Sequence, residues 1–216
     1  MSDSIAKPSA KPTCYEYHSE EHASTHRYLL PSVSRMLRDI PAGARVLDMG
    51  CGNGTFLSSF RDRGWKLFGV DFSSSGIAFA KKNFPEIEFF LADAAASGED
   101  IFDRVGNADV IISTEVIEHI YLPRDFLRNI HSLLNPNGRV VLSTPYHGYL
   151  KNLALAASGR MDQHFTALWD YGHIKFWSRK TLSAALHETG FSQIEFAGCG
   201  RVPWMWKSMV LHAIKA

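Results

Sequence analysis

The chain has 216 residues, with 23 Lys and Arg against 22 Asp and Glu, for a formal net charge of +1. Apolar residues make up 45% and charged residues 21%, the balance of a soluble globular domain long enough to bury its own core. The even charge argues against a dedicated nucleic-acid binder, and no apolar run reaches the roughly 18–20 residues of a membrane span. Residues 1–13 lack an apolar signal core and read as a disordered tail ahead of a single domain over 14–216. Three scattered cysteines (Cys14, Cys51, Cys199) form no CxxC pair. They argue against a disulfide framework or zinc finger and for a reducing, cytoplasmic setting.

From about residue 19 to Ile40 the pattern is helical, with Pro31 expected to split or kink it. Short apolar runs then recur at 45–49, 66–70, 87–91, 108–112 and 138–143, and helical stretches fall between them at 54–63, 73–84 and 123–135. Strands alternating with amphipathic helices predict an α/β fold whose parallel sheet is covered on both faces. Residues 145–172 form an aromatic-rich interval too long for a plain connection, which reads as a lid or substrate-facing insertion. Ser178 then caps a helix to Thr189 that Gly190 ends. Segments 191–198 and about 205–214 are joined by too short a turn for a parallel crossover. The expectation is a doubly wound sheet of seven strands, six parallel and the last antiparallel.

Chemistry gathers at the strand ends. Val46-Leu47-Asp48-Met49-Gly50-Cys51-Gly52-Asn53-Gly54 places three alternating glycines directly after the first strand, where backbone can approach a ligand closely. A dinucleotide loop has G-x-G-x-x-G; here Thr55 occupies the third glycine position. Asp71 closes the second strand, where a carboxylate can accept both hydroxyls of a ribose. Asp93 closes the third, within reach of an adenine amino group. Each aspartate alone also suits a helix N-cap. All three features fall around one crevice at the sheet's carboxyl edge.

The segments VLDMGCGNG, GVDFS, LADA, DVIISTEVIEHI and LLNPNGRVVLSTP together resemble the Rossmann-like, class I S-adenosylmethionine-dependent methyltransferases. The resemblance is strong over residues 40–143. It implies that Gly50, Gly52 and Gly54, with Asp48 and Cys51, line the methionine part of the cofactor. It implies further that Asp71 holds the ribose, that Asp93 with Ala94 meets the adenine, that Phe72 also borders the cofactor, and that Thr114 borders the methyl-bearing sulfur. Arg27 is either a clamp on the cofactor carboxylate or a solvated helix charge.

Glu115, Glu118 and His119 stand at i, i+3 and i+4, so a helix beginning there stacks them on one face. With His173 they make a donor set suited to Mg²⁺, Mn²⁺ or Zn²⁺. This E-x-x-E-H with a later histidine is similar to the ubiquinone-biosynthesis O-methyltransferases, and to the small-RNA 3′-terminal 2′-O-methyltransferases. In the other reading the acids cap the helix and the histidine packs beneath the lid, with no metal. His119 and His173 face the acceptor either way, as metal ligands or as a base. The implied activity is O-methylation of a small-molecule hydroxyl: a phenol, a quinone precursor or a glycan. The alternatives are a small-RNA 2′-O-methyltransferase, a nicotinamide-dependent oxidoreductase and a non-catalytic member of the fold. The turn Arg201-Val202-Pro203-Trp204-Met205-Trp206-Lys207 mixes indoles with cations. It is either a peripheral membrane contact or an exposed strand start.

Overall fold

The computed structural model describes residues 24–93, 98–165, 167–169 and 172–216. The expected tail, Cys14, Ala94 and the first residues of the leading helical pattern lie outside them.

Seven strands form one sheet: β1 Arg45–Met49, β2 Lys66–Asp71, β3 Glu88–Leu91, β4 Ala108–Thr114, β5 Leu134–Pro145, β6 Phe191–Cys199 and β7 Ser208–Lys215. Their order is β3-β2-β1-β4-β5-β7-β6. The pairs among β1–β5 are parallel, and β7 runs antiparallel between β5 and β6. Six strands therefore point one way and the last is reversed, as the spacing predicts.

The central strands alternate between two apolar cores. Leu47, Met49, Val70, Ile111 and Leu142 face one side, with Val105 of α4 (Glu99–Val105), Phe126 and Ile130 of α5 (Pro123–Leu133), and Leu182 and Leu186 of α8 (Arg179–Glu188). Val46, Val110, Ile112 and Val141 face the other, with Leu29 and Val33 of α1 (His26–Met36), Phe56 and Leu57 of α2 (Thr55–Ser58), and Ile77 and Ala80 of α3 (Ser74–Asn83). Strands buried on both faces read as continuous apolar runs, which is why β1 and β4 stand out in the sequence.

Local chemistry moves several boundaries. Helix α1 runs through Pro31 instead of splitting there. The ring removes one hydrogen bond, while burial of Leu29, Val33 and Met36 holds both turns against the sheet. The helix expected over 54–63 is only α2 followed by a 3₁₀ turn at Arg61–Arg63. The hydroxyls of Ser58 and Ser59 both donate to the Thr55 carbonyl, diverting the acceptor that would continue the helix, and Gly64 in the left-handed region ends the segment. Helix α4 carries a weak seven-residue pattern and escapes notice in the sequence. Strand β5 begins at Leu134, four residues before the expected 138, through Asn135-Pro136-Asn137-Gly138. There Asp109 accepts Asn135 Nδ2 at 2.8 Å and the Arg45 N–H at 2.8 Å, stitching an irregular start of β5 to β4 and β1.

The 145–172 interval contains α6 (Tyr149–Ala157) and α7 (Met161–Phe165), which join neither core. The one buried side chain of α6 is Lys151, whose Nζ donates to the carbonyls of Tyr146 (2.8 Å) and Lys207 (3.5 Å). Burial lowers the Lys151 pKa to about 8.

Candidate functional site

At the end of β1 the chain turns through Gly50, Gly52 and Gly54, all in the left-handed region (φ 85°, 55° and 76°). The N–H groups of Gly50 and Cys51 both donate to the Val70 carbonyl, bending the loop over the tip of β2. Asn53 Oδ1 accepts Thr55 Oγ1 at 2.8 Å and the Thr55 N–H at 3.3 Å, so the loop is held by its own side chains. A Cβ on Gly50 would lie 2.4 Å from Val116 Cγ2. Backbone angle and close packing together demand glycine there. Thr55, in place of a third spaced glycine, touches His26 of α1 (Oγ1 to Nδ1, 3.4 Å), which seals the loop from the α1 side.

Asp71 lies beneath the loop. Its Oδ2 accepts the Gly52 N–H and its Oδ1 the Ser73 N–H, each at 2.8 Å. The Phe72 N–H adds a third, weaker interaction, and the carboxylate's four lone pairs still leave room for a further donor. Burial raises the Asp71 pKa against these bonds. Phe72 beside it is exposed, as is Asp93 past the end of β3. Arg27 is exposed on the first turn of α1. Asp48 is 1% exposed, with no hydrogen-bond partner on either carboxylate oxygen. Burial and the nearby Asp71 charge push its pKa up to about 8.

Past Thr114, at the tip of β4, the chain does not start the helix that the E-x-x-E-H spacing predicts. Glu115 sits in the left-handed region (φ 56°), and a 3₁₀ turn follows at Ile117–His119. The reason is a competing network. The Glu115 carboxylate accepts Ser143 Oγ at 2.8 Å and Ser208 Oγ at 3.2 Å, and Ser208 in turn meets the Tyr28 hydroxyl at 3.2 Å. Glu115 thus ties β4 to β5, β7 and α1, away from the other three candidate ligands. Burial raises its pKa to about 7.

Glu118, His119 and His173 do come together. Their candidate ligand atoms all lie within 4.8 Å of one another. The Glu118 carbonyl accepts the N–H groups of Ile174 and Lys175, both at 2.9 Å, and these bonds bring His173 Nε2 to 3.9 Å from Glu118 Oε1. Glu118 is 1% exposed and both its oxygens lack a hydrogen-bond partner, as does the neighbouring Thr144 hydroxyl. Burial, reinforced by the Glu115 charge, raises its pKa. The His119 and His173 rings stand edge to face at 4.9 Å, and Trp169 packs against both (6.1 and 5.3 Å). Burial lowers the His173 pKa to about 4, leaving the ring neutral at neutral pH. Behind them His147 packs among His164, Phe165 and Phe176, joining α7 to the end of β5.

His26, Tyr28, Ser143 and Ser208 escape the sequence reading. No local spacing links them to the site; only the register of β5 against β7, which pairs Ser143 with Val210 and Pro145 with Ser208, delivers both serines to Glu115.

The family described as "Methyltransferase domain" matches residues 20–195. Among curated proteins, the ubiquinone biosynthesis O-methyltransferase of Azorhizobium caulinodans is 31% identical over 170 residues, which cover 76% of this chain and 65% of that protein. Its namesake in Bradyrhizobium diazoefficiens is 35% identical over 117 residues, 54% of this chain and 46% of that protein. The matched stretch thus spans between about half and two thirds of these relatives' length. Among solved structures, magnesium protoporphyrin IX methyltransferase from Synechocystis PCC 6803 with bound SAH superposes with a TM-score of 0.65 at 20% identity, covering 89% of this chain and 84% of that one. The chain belongs to the methyltransferase-domain family, with the class I S-adenosylmethionine-dependent fold.

Two outcomes follow from this geometry. Gly50→Ala is expected to lower the unfolding free energy by about 2–4 kcal/mol through the left-handed backbone and the clash with Val116. In a Val116→Ala background, which lacks the clashing methyls, the same Gly50→Ala change should cost only about 1–2 kcal/mol, measured by denaturant titration. The second outcome concerns Asp48. Its folded pKa is raised, so as pH climbs from the unfolded value near 4 towards about 8 the unfolded state sheds a proton that the folded state keeps, and stability falls. In thermal melts of the apoprotein, the difference between Asp48→Asn and the native chain should therefore shift in favour of the variant as pH rises from 5 to about 8.

Proposed function

We propose that the chain transfers a methyl group from S-adenosylmethionine to a hydroxyl of a small-molecule acceptor, a phenol or quinone precursor ahead of a glycan. The single observation that carries this reading is the Glu118–His119–His173 cluster, set one strand tip away from the glycine loop. The names of the curated relatives support an oxygen acceptor.

In this reading the cofactor supplies a methyl group on an electrophilic sulfonium. Backbone at Gly50, Cys51, Gly52 and Gly54 accommodates its methionine part, with Asp48 beneath. Asp71 accepts from the ribose through the lone pairs left by Gly52 and Ser73. Phe72 and Asp93 flank the adenine, Thr114 borders the sulfur, and Arg27 serves the carboxylate. The buried acids suit a cationic ligand, since burial destabilises each as an anion and a neighbouring carboxylate adds to this at Asp48 and Glu118.

The cluster fits a divalent cation. A buried carboxylate with two unpartnered oxygens and two imidazoles within 4.8 Å form the mixed O/N donor set that Mg²⁺, Mn²⁺ or Zn²⁺ accepts. Glu118, His119 and His173 would hold it, and it would lower the pKa of a coordinated hydroxyl. The chain's own part is alignment and exclusion of water. Neutral His173 offers a ring nitrogen towards the acceptor, His119 stands against it, and Trp169 covers both.

His119→Ala and His173→Ala are each expected to lower kcat by about 10²–10⁴-fold while S-adenosylhomocysteine affinity by calorimetry stays unchanged. Equal loss of binding and turnover would make both side chains structural. The decisive assay is transfer of labelled methyl to catechols, quinone precursors, glycans and short RNAs, with and without chelator. Activity abolished by chelator and restored by one of the three cations assigns the cluster to metal. Activity indifferent to chelator assigns it to base catalysis. Calorimetry should show no binding of NAD.

A further inference from the structure

A second set of polar side chains gathers near Glu118, His119 and His173, and methyl transfer as described makes no use of it. His147 lies just past β5, Lys151 and Asn152 stand on α6, His164 on α7, and Arg201 in the turn between β6 and β7. His147 and Lys151 are only 8% and 6% exposed. Three atoms here are shut off from solvent without a hydrogen-bond partner: His147 Nδ1, Asn152 Oδ1 and His164 Nε2. They belong to one place. The His147 and His164 rings are 5.2 Å apart, and Asn152 is near enough to His147 to favour its protonated form. Buried polar atoms are costly to leave unpaired, and three together call for a ligand.

The sign of the local field says which kind. Lys151 Nζ gives two of its protons to the carbonyls of Tyr146 and Lys207 and keeps one N–H to offer. Burial, then the Arg201 charge, lower its pKa to about 8 against the pull of Glu115. Burial lowers the His164 pKa as well, and Lys151 and Arg201 add to it. Burial, followed by Lys151, His164 and His173, brings His147 down to about 4. Both rings are therefore neutral at pH 7 and bring N–H donors instead of charge. Among the described residues no salt bridge reaches Lys151 or Arg201. Glu115, the acid that acts on Lys151, is already held by Ser143 and Ser208. A metal ion would find imidazole nitrogens here but also two positive side chains. An anion finds donors and a field of the matching sign.

Charge and neighbours narrow the anion. One lysine at the floor with neutral donors around it matches a single negative charge, a carboxylate ahead of a doubly charged phosphate. Turning the Asn152 amide over exchanges Oδ1 for a further donor, Nδ2. The surroundings are aromatic: Phe165 and Phe176 pack on His147 at 5.7 and 5.1 Å, and Trp169 on His173 at 5.3 Å. His173 also lies within electrostatic reach of His147 and His164. We infer that His147, Lys151, Asn152, His164 and Arg201 form a subsite for a carboxylate on the acceptor, so that an aromatic acid bound there brings a ring hydroxyl towards Glu118, His119 and His173. That the ligand is an acceptor rests on the methyl-transfer reading; that a carboxylate binds does not.

The test is calorimetric titration of the full chain, without cofactor, with catechol, with 3,4-dihydroxybenzoate and with benzoate. The dihydroxybenzoate is expected to bind at least ~tenfold more tightly than catechol at pH 7, and benzoate, which has no hydroxyl to methylate, to compete with it. Lys151→Met and His164→Phe should each abolish that preference, and Arg201→Gln should reduce it, with S-adenosylhomocysteine affinity unchanged. His164→Phe and Arg201→Gln should also keep the native melting temperature, so the test stands even where Lys151→Met unfolds α6. Equal binding of catechol and the dihydroxybenzoate, or a preference unmoved by these variants, would overturn the subsite. So would Zn²⁺ binding that survives Glu118→Gln and is lost on adding His164→Phe, because the unpaired nitrogens would then be metal ligands. Labelled-methyl transfer separates the two readings. Transfer to catechol with no gain from the carboxylate sinks the subsite and leaves methyl transfer standing, whereas a tightly bound dihydroxybenzoate in a chain that methylates no acceptor does the reverse.

Discussion

Four carboxylates gather along the carboxyl edge of one sheet, Asp48, Asp71 and Glu118 buried and Glu115 half-buried. Desolvation raises the pKa of each, and no salt bridge to Lys or Arg is found at any of them among the described residues. Burying so much latent negative charge is costly unless hydrogen bonds, protons or a cation compensate. The protein applies different remedies. Asp71 takes two backbone N–H groups and Glu115 two serine hydroxyls, whereas Asp48 and Glu118 keep every oxygen without a partner. The first pair shapes the loop and locks the strands. The second pair is what the proposed sulfonium cofactor and divalent cation would answer.

That division explains why one E-x-x-E-H segment yields two different acids. A regular helix from Glu115 would align both carboxylates and His119 on one face. The serines on β5 and β7 instead capture Glu115, force its backbone left-handed, and release the chain into a tight turn. Glu118 is then left to meet His173 across the returning segment before α8. Of the four candidate ligands expected from the sequence, Glu118, His119 and His173 stand together in this structure.

Much of the fold is legible in the sequence because it rests on local pattern. The apolar runs of β1, β2 and β4 are buried on both faces, Ser178 and Gly190 punctuate α8, and the short final turn dictates a reversed β7. The strand-end acids could be placed for the same reason, since a parallel sheet brings all its carboxyl tips to one crevice. What local pattern could not show depends on distant partners. Asp109 draws Asn135-Pro136-Asn137-Gly138 into the start of β5, and Ser208 acts on Glu115 from 93 positions away. Helix α1 survives Pro31 only because the sheet holds it.

Lys151 has a consequence for how the molecule comes apart. The two carbonyls it reaches belong to the end of β5 and to the residue just before β7, elements that lie side by side only after the sheet has closed. Helix α6 has no apolar anchor of its own, so it has little to hold it until that closure is complete. It should be the last segment to settle and the first to detach, exchanging its amide protons and admitting proteases while both cores remain intact.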